Sequence, residues 1–326
     1  MRGVAIALCV AASLALAADN PGRHAKFYVT ATAAALVEQG LASPAPSGAS
    51  AAGFQELPAP SVRTVANQAQ STTAPWITSN AWRFISGLEK ADYDKLPPGS
   101  ADTAAAEAFT FSAEAILNPA PEDVPELGRF LEFLKPLEQP SMPALVNIAV
   151  VDDKSPEMEE VLNMLTRRNL LYRVVSAPEP KLLNVRLGSK DFPKESADDP
   201  SDFAARVREK LTDDKRLVRI YGTSTMLAHL TGDGTHVRLY VMSFTGGRGG
   251  GRAGAGRGGA GRGGGGGGTG QSPRIRLLGH YRPVKFAGYG SAPESEVSEV
   301  EQTAEATEFT LPPFRIAAIV DLDAAK

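Results

Sequence analysis

The sequence predicts an α/β unit followed by an all-β sandwich. The α/β unit is indicated by a buried apolar strand at 144–151, a helix after it, and a second apolar strand at 170–175. A crossover this short, with one helix between two strands, favours a parallel pair with the helix packed on the sheet. The sandwich is indicated by about seven short strands, separated by turn residues, that follow Lys215.

The α/β unit is predicted at 143–214, and both of its helices carry start signals. Ser155 followed by Pro156, and Asp199 followed by Pro200, are typical of an N-cap and a first helical turn. The apolar residues that follow recur at a spacing of three or four, which gives each helix one buried face.

The sandwich is predicted at 215–323. The sequence TGDG at 231–234 is typical of a hairpin turn, and polar and apolar residues alternate after it as in a half-buried strand. Strands are predicted at 216–221, 225–230, 236–244, 274–278, 284–287, 308–311 and 315–322.

Residues 74–142 are predicted to hold a short strand near Trp76, an Ala-rich helix at 101–117 and an amphipathic helix after Pro119.

Residues 19–73 are rich in Ala, Ser, Pro and Gln, which indicates a linker or irregular segment. Within that segment, 26–36 could form either a strand or a helix.

Residues 1–18 have the pattern of a secretory signal peptide. Arg2 precedes an apolar run of about fourteen residues, and Ala-Leu-Ala at 15–17 offers a cleavage site before the chain turns polar. We therefore expect a secreted or periplasmic protein. Cys9, the one cysteine, lies inside this run, so the mature chain has no thiol for a disulfide, a metal or catalysis. We expect no membrane span, because no later stretch is long and apolar enough.

The tract at 246–270 holds more than half of the 32 glycines and four spaced arginines: Arg248, Arg252, Arg257 and Arg262. It has no large apolar residue to bury, which predicts a disordered insertion between two strands. The tract resembles arginine–glycine RNA-binding segments, but it lacks the aromatic residues that stack on bases. Contact of its arginines with an acidic polysaccharide is the other alternative.

The formal net charge of −3 includes the four tract arginines and Arg2. Without these five residues the rest of the chain carries about −8, a balance that does not attract nucleic acid. We therefore expect no nucleic-acid partner.

Trp76, Asn80 and Trp82 are the candidate substrate-binding residues. Two tryptophans beside an amide can form a sugar-binding platform, because the C–H face of a sugar packs on an indole ring. The alternative role for these three residues is core packing.

Two carboxylate pairs are candidate site residues. Glu107 and Glu114 would share one face of the predicted helix and could be an acid–base pair. Asp152 and Asp153 follow a strand end, where α/β sheets bind ligands, and could hold a cation or a sugar hydroxyl. The alternatives are a solvated helix face for the first pair and a capping turn for the second. The four histidines are scattered and no nucleotide fingerprint occurs, so we expect no metal and no cofactor.

The second half of the chain resembles parts of the trimeric β-galactosidase type of glycoside hydrolase. The β–α–β unit at 144–175 resembles the flavodoxin-like, amidotransferase-like trimerisation domain of that family. Four later segments resemble its C-terminal sandwich: LAHLTGDG at 227–234, VRLYVMSF at 237–244, EFTLP at 308–312 and IAAIVDL at 316–322. The span 74–323 is similar to secreted bacterial proteins with this layout. The resemblance implies a barrel-like fragment at 74–142 and allows a homo-oligomer.

The resemblance does not supply a catalytic site. The catalytic glutamates of that family lie in a (β/α)₈ barrel of about 250 residues, and this chain has room for only part of one before residue 143. The amidotransferase nucleophile would be a cysteine, which the mature chain lacks. We therefore expect a non-catalytic module associated with carbohydrate or assembly. An active glycoside hydrolase that uses the carboxylates above and a structural envelope protein are the alternatives.

The tract at 246–270 is predicted to be dispensable for stability. Its replacement by a short Asn-Gly turn should leave the melting temperature nearly unchanged, because long surface insertions cost little loop entropy. Thermal unfolding of both proteins measures this, and a large drop would mean that the tract packs on the fold.

Overall fold

A computed structural model of the protein describes residues 24–63, 76–137, 139–245 and 272–325. The predicted signal peptide at 1–18 and the predicted disordered tract at 246–270 lie outside these ranges. The described chain combines two sheets of parallel strands with two four-stranded sheets of antiparallel strands. The predicted mixture of an α/β part and an all-β part is therefore confirmed.

The first unit runs from the first described residue to the end of the fourth helix. Its elements are β1 (Lys26–Val29), α1 (Ala34–Glu38), β2 (Ser43–Pro44), β3 (Gln55–Glu56), β4 (Ser61–Arg63), β5 (Trp76–Thr78), α2 (Ala81–Ile85), β6 (Lys90–Tyr93), α3 (Ala101–Thr110), β7 (Glu114–Leu117) and α4 (Val124–Leu134).

Five of these strands form a parallel sheet in the order β2-β1-β7-β6-β3. The steps from β1 to β2, from β3 to β6 and from β6 to β7 all move in one direction along the sheet. Helices α1, α3 and α4 contribute to a single core with one face of the sheet. The step from β2 to β3 runs from one edge of the sheet to the other. The barrel-like fragment at 74–142 stays a prediction.

The prediction of a linker or irregular segment at 19–73 is wrong for residues 26–63, because β1 to β4 lie within it. The strand β1 lies inside the sheet, with β2 on one side and β7 on the other. Its partner β7 is more than eighty residues away in sequence, and Phe27 pairs with Ala115. The stretch 26–36, for which the sequence allows a strand or a helix, holds β1 and the start of α1. Local composition does not reveal the pairing of β1 with so distant a partner.

Helix α3 ends at Thr110, so the predicted helix over 101–117 is too long. Ser112 adopts a left-handed backbone conformation with a φ of 52°, which turns the chain into β7. All ten residues of α3 are buried, because it lies between the parallel sheet and strands of the all-β part. Its many alanines allow this close approach on every side.

Glu107 of α3 is a fully buried carboxylate with four hydrogen bonds. The Ser79 hydroxyl (2.6 Å) and the Asn80 backbone amide (2.7 Å) donate to Oε1. The Asn80 side-chain amide (3.0 Å) and the Tyr93 hydroxyl (2.8 Å) donate to Oε2. Burial raises the pKa of Glu107, and these donors oppose that rise. The network joins α3 to β6 and to the start of α2.

The substitution Glu107→Gln should destabilise the protein by about 2–4 kcal/mol. A glutamine amide presents its own N–H groups to donors that point at the carboxylate, and unsatisfied buried polar groups are costly. Urea unfolding measures the change. Glu132→Gln, on the exposed face of α4, is the matched control and should stay within about 0.5 kcal/mol of the parent. Equal stability of the two variants would contradict the structural role of Glu107.

The second unit is a three-stranded parallel sheet in the order β10-β8-β9 with two helices. Ser155 accepts a hydrogen bond from the Met158 amide, and Asp199 accepts from the Ser201 and Asp202 amides, as the capping pattern predicts. The elements are β8 (Ile148–Val151), α5 (Pro156–Arg167), β9 (Tyr172–Val175), β10 (Leu183–Arg186) and α6 (Pro200–Leu211).

The third unit consists of two antiparallel sheets that share one hydrophobic core. Their strand orders are β11-β14-β17-β16 and β12-β13-β18-β15. The strand β16 is absent from the predicted set because all five of its residues are exposed and give no apolar alternation. The elements are β11 (Val218–Ile220), β12 (Met226–Gly232), β13 (His236–Ser243), β14 (Arg274–Leu278), β15 (Tyr281–Gly288), β16 (Ser298–Gln302), β17 (Ala306–Thr310) and β18 (Ala317–Ala324).

The outer face of the β12-β13-β18-β15 sheet packs on the first unit. Leu227, Tyr240, Met242 and Ile319 of this sheet belong to the same core as α3 and α4. The helices are therefore covered by a sheet on each side. Across the described ranges, no helix has the length and apolar character needed to cross a membrane.

Candidate functional site

The parallel sheet of the first unit has one polar face. Residues of its three longest strands alternate, so that Val29, Tyr93 and Leu117 point into the core with the helices. The opposite face carries Lys26, Tyr28, Lys90, Asp92, Glu114 and Ile116. Parallel sheets are normally covered on both faces and are apolar on both. This polar face, which we call the open face, is therefore the candidate site.

Glu114 lies at the centre of the open face. The strand register puts it directly between Lys26 of β1 and Lys90 of β6. Its carboxylate lies 3.8 Å from the Lys26 ammonium and 3.6 Å from the Lys90 ammonium. The Tyr28 hydroxyl also donates a hydrogen bond to it at 3.1 Å. The register thus produces a row of positive, negative and positive charge across three strands.

Two aromatic rings lie beside this row. Tyr28 and Phe54 meet edge to face, with 5.8 Å between ring centroids. The Lys90 ammonium lies 5.3 Å from the centre of the Phe54 ring. Both rings are half-buried, so part of each remains exposed next to charged hydrogen-bonding groups. Such a surface can pack on the C–H face of a sugar and bind its hydroxyls.

The carboxyl ends of the strands add further polar groups. The Thr30 hydroxyl donates to the Asn118 side-chain oxygen at 2.7 Å. The Asn118 amide in turn donates to the Asp94 carbonyl at 2.8 Å. These residues follow β1, β7 and β6, and the carboxyl ends of parallel strands are the usual ligand-binding edge.

Asp92 is the second carboxylate of the open face. Partial burial raises its pKa, and repulsion from Asp94 and Glu56 raises it further. Asp92 lies on the strand next to Glu114 and two residues further along, so their Cα atoms are about 8 Å apart by strand geometry. The face therefore combines a carboxyl group that resists ionisation with a carboxylate that contacts two ammonium groups.

The structure does not present Trp76, Asn80 and Trp82 as one surface, which differs from the predicted sugar-binding platform. The Arg167 guanidinium lies 3.3 Å from the centre of the Trp76 ring, and the Arg83 guanidinium lies 4.2 Å from that of Trp82. Both tryptophans pack against the core of the second unit. Asn80 is fully buried because its amide binds Glu107 and the Pro58 carbonyl.

The predicted carboxylate pairs are also arranged differently. Glu107 lies in a buried helix and Glu114 on a strand, so they do not share one helix face. Asp153 accepts hydrogen bonds from the Ser155 amide and hydroxyl, and Asp152 accepts from the Lys154 amide. The second pair therefore forms the capping turn that was the alternative interpretation.

Sequence reasoning missed Tyr28 and Phe54 because both lie in the segment interpreted as a linker. In β6 the polar residues Lys90 and Asp92 alternate with the apolar residues Ala91 and Tyr93. This alternation is the sequence pattern that indicates a strand with one polar face. Within the described ranges, no group of three or more His, Cys, Asp or Glu side chains is arranged to hold a metal ion.

Comparison with known proteins gives structural neighbours only. No protein-family model matches the chain. No curated protein matches it either. An α-L-fucosidase isoenzyme 2 from Paenibacillus thiaminolyticus aligns with a TM-score of 0.48 and 8% identity over 76% of this chain and 62% of its own. An α-amylase from H. orenii aligns with a TM-score of 0.21 and 7% identity over 75% and 51%.

Both neighbours are glycoside hydrolases, and this chain spans less than two thirds of the length of either. The resemblance to trimeric β-galactosidases in particular stays a prediction.

Proposed function

We propose that the protein is a glycoside-hydrolase-like module that binds carbohydrate on the open face of its parallel sheet without hydrolysing it. The observation that carries this proposal is the pair of half-exposed rings, Tyr28 and Phe54, beside the Lys26–Glu114–Lys90 row. Sugars present an apolar C–H face and many hydroxyls, and this surface offers partners for both.

A binding role is favoured over catalysis by the surroundings of Glu114. A catalytic nucleophile or base must be available to the substrate, whereas Glu114 already contacts two ammonium groups and a phenol. The sheet also has five strands, and a (β/α)₈ barrel uses eight to surround its substrate.

Hydrolysis is the second candidate function, and the placement of Asp92 and Glu114 on neighbouring strands of one face favours it. Glycosidases hold two carboxyl groups about 5–5.5 Å apart in retaining enzymes and about 6.5–9.5 Å apart in inverting enzymes. In this alternative Asp92 is the acid and Glu114 the base or nucleophile.

The finer classification is part of the proposal. We infer that the second unit is flavodoxin-like and serves assembly, that the paired antiparallel sheets are a sandwich of the glycosidase type, and that the protein is exported.

N-terminal sequencing of the exported protein should find a start near Ala18 or Asp19, and retention of residues 1–17 would contradict export by cleavage.

Glycan binding tests the main proposal. The mature protein should bind members of a panel of soluble oligosaccharides, and Phe54→Ala should weaken that binding by about tenfold, since the ring supplies apolar contact. Tyr221→Ala, which removes a half-buried ring from the β11-β14-β17-β16 side of the third unit, is the matched control and should bind like the parent. Absence of binding to the whole panel, or equal loss in both variants, would contradict the proposal.

Turnover of aryl glycosides separates binding from hydrolysis. We expect none above background in the parent. Robust turnover that is abolished by Asp92→Asn or by Glu114→Gln would establish the second candidate function instead.

A further inference from the structure

A cleft separate from the open face lies between the first and third units. Its volume is about 210 Å³. Pro136 and Leu137, which follow α4, form one wall, and the outer face of the β13-β18-β15 strands forms the other. The lining residues from these strands are Arg238, Lys285, Ala287, Ile319 and Asp321.

The polar residues of the cleft form a row across three strands. Asp321 of β18 pairs in register with Arg238 of β13 on one side and with Lys285 of β15 on the other. An irregularity in β15 between Pro283 and Lys285 brings the lysine into this row. Bulges of this kind re-aim side chains and are common next to functional sites.

The charges of this row do not cancel. Arg238 binds Asp321 through two parallel hydrogen bonds, of which the Nη2–Oδ2 bond measures 2.9 Å. This bidentate pair satisfies both charges and fixes the guanidinium. Lys285 is exposed and forms no ion pair or hydrogen bond with any residue in the described ranges. One positive charge at the cleft is therefore uncompensated.

The apolar surface of the cleft is small. Leu137 and Ala287 are partly exposed and offer hydrocarbon contact beside the lysine, whereas Ile319 is buried beneath them. Pockets for drug-sized ligands are about 300–1,000 Å³, so this cleft suits a smaller molecule, about the size of one sugar ring. The combination of one free cation, a fixed ion pair and an apolar wall favours a ring that carries a carboxylate.

We propose that this cleft is a second binding site, specific for an acidic sugar of the hexuronate type. Lys285 binds the carboxylate, the Arg238–Asp321 pair binds ring hydroxyls, and Leu137 and Ala287 contact the C–H face. The choice of a sugar over another carboxylate rests on the proposed carbohydrate function, whereas the anion preference rests on the cleft alone.

Titration calorimetry of the mature protein with D-glucuronate, D-glucose and cyclohexanecarboxylate tests this inference. Glucuronate should bind with a Kd at least tenfold lower than that of either other compound. Equal binding of glucose would overturn the anion preference, equal binding of cyclohexanecarboxylate would overturn the sugar specificity, and no binding of glucuronate would overturn the site.

Two variants test whether glucuronate binds in the cleft. Lys285→Gln should weaken glucuronate binding at least tenfold, and because this side chain is exposed, the variant should fold normally. Arg282→Gln, an exposed cation paired with Asp323 one row away, is the matched control and should bind glucuronate like the parent. Glucuronate binding that survives Lys285→Gln, or that falls equally in both variants, would overturn the proposal.

Phe54→Ala distinguishes the two sites, because it removes a ring from the open face and should leave glucuronate binding unchanged. Weakened oligosaccharide binding with intact glucuronate binding is the result expected of this variant. In the parent, glucuronate binding without any oligosaccharide binding would contradict the proposed function of the open face and leave the cleft standing. Loss of glucuronate binding in Phe54→Ala would overturn the cleft as a separate site.

Discussion

The buried carboxylate of Glu107 is the constraint on which the first unit depends. A charge inside a core is tolerated only when hydrogen bonds replace the water it has lost, and four donors do so here. Each donor is fixed by the element that carries it, so the carboxylate aligns α3, β6 and the start of α2 together. Because α3 also lies between two sheets, its position fixes how the parallel sheet and the antiparallel sheets stack.

The sequence predicts the second half of the chain better than the first. Helices α5 and α6 begin with local capping signals, and seven of the eight strands of the paired sheets show turn sequences or apolar alternation. These are short-range signals. The strands β1, β2 and β3 have two to four residues. The composition around β1 allows a strand or a helix, and the pairing of β1 with β7 and of β3 with β6 involves partners far along the chain that local composition does not reveal.

The candidate site shows the same division. A solvated helix face is one of the two interpretations that the sequence allows for Glu107, and the structure buries this residue instead. A helix that is rich in alanine on every side has no polar face, and this pattern indicates a helix that is buried all round. For Asn80 the sequence leaves open a ligand-binding role and core packing, and the structure shows the second, because the Asn80 amide binds the buried Glu107 of α3. Glu114 was selected from the sequence for a wrong reason, since its position comes from strand register and not from helical spacing.

The two proposed sites share one structural pattern and differ in one respect. In each, an acidic residue on a central strand lies in register between cations on the strands to either side. Each row therefore carries one net positive charge. On the open face both lysines contact Glu114, so each ammonium group has a carboxylate partner. In the cleft the arginine alone neutralises Asp321, and the lysine is left for a ligand.

The acidic edge strand β16 also bears on self-association. An exposed strand edge can recruit the same strand of another molecule and begin a continuous sheet. In β16, Glu299 and Glu301 share one cation, Arg274 of β14, and in an antiparallel pairing they would meet the same glutamates of a second copy. The register irregularity between Ser298 and Glu301 also interrupts the regular ladder. Repulsion and broken geometry together disfavour polymerisation along this edge. The exposed Val300 at the middle of this strand thus lies between charged neighbours that oppose strand addition.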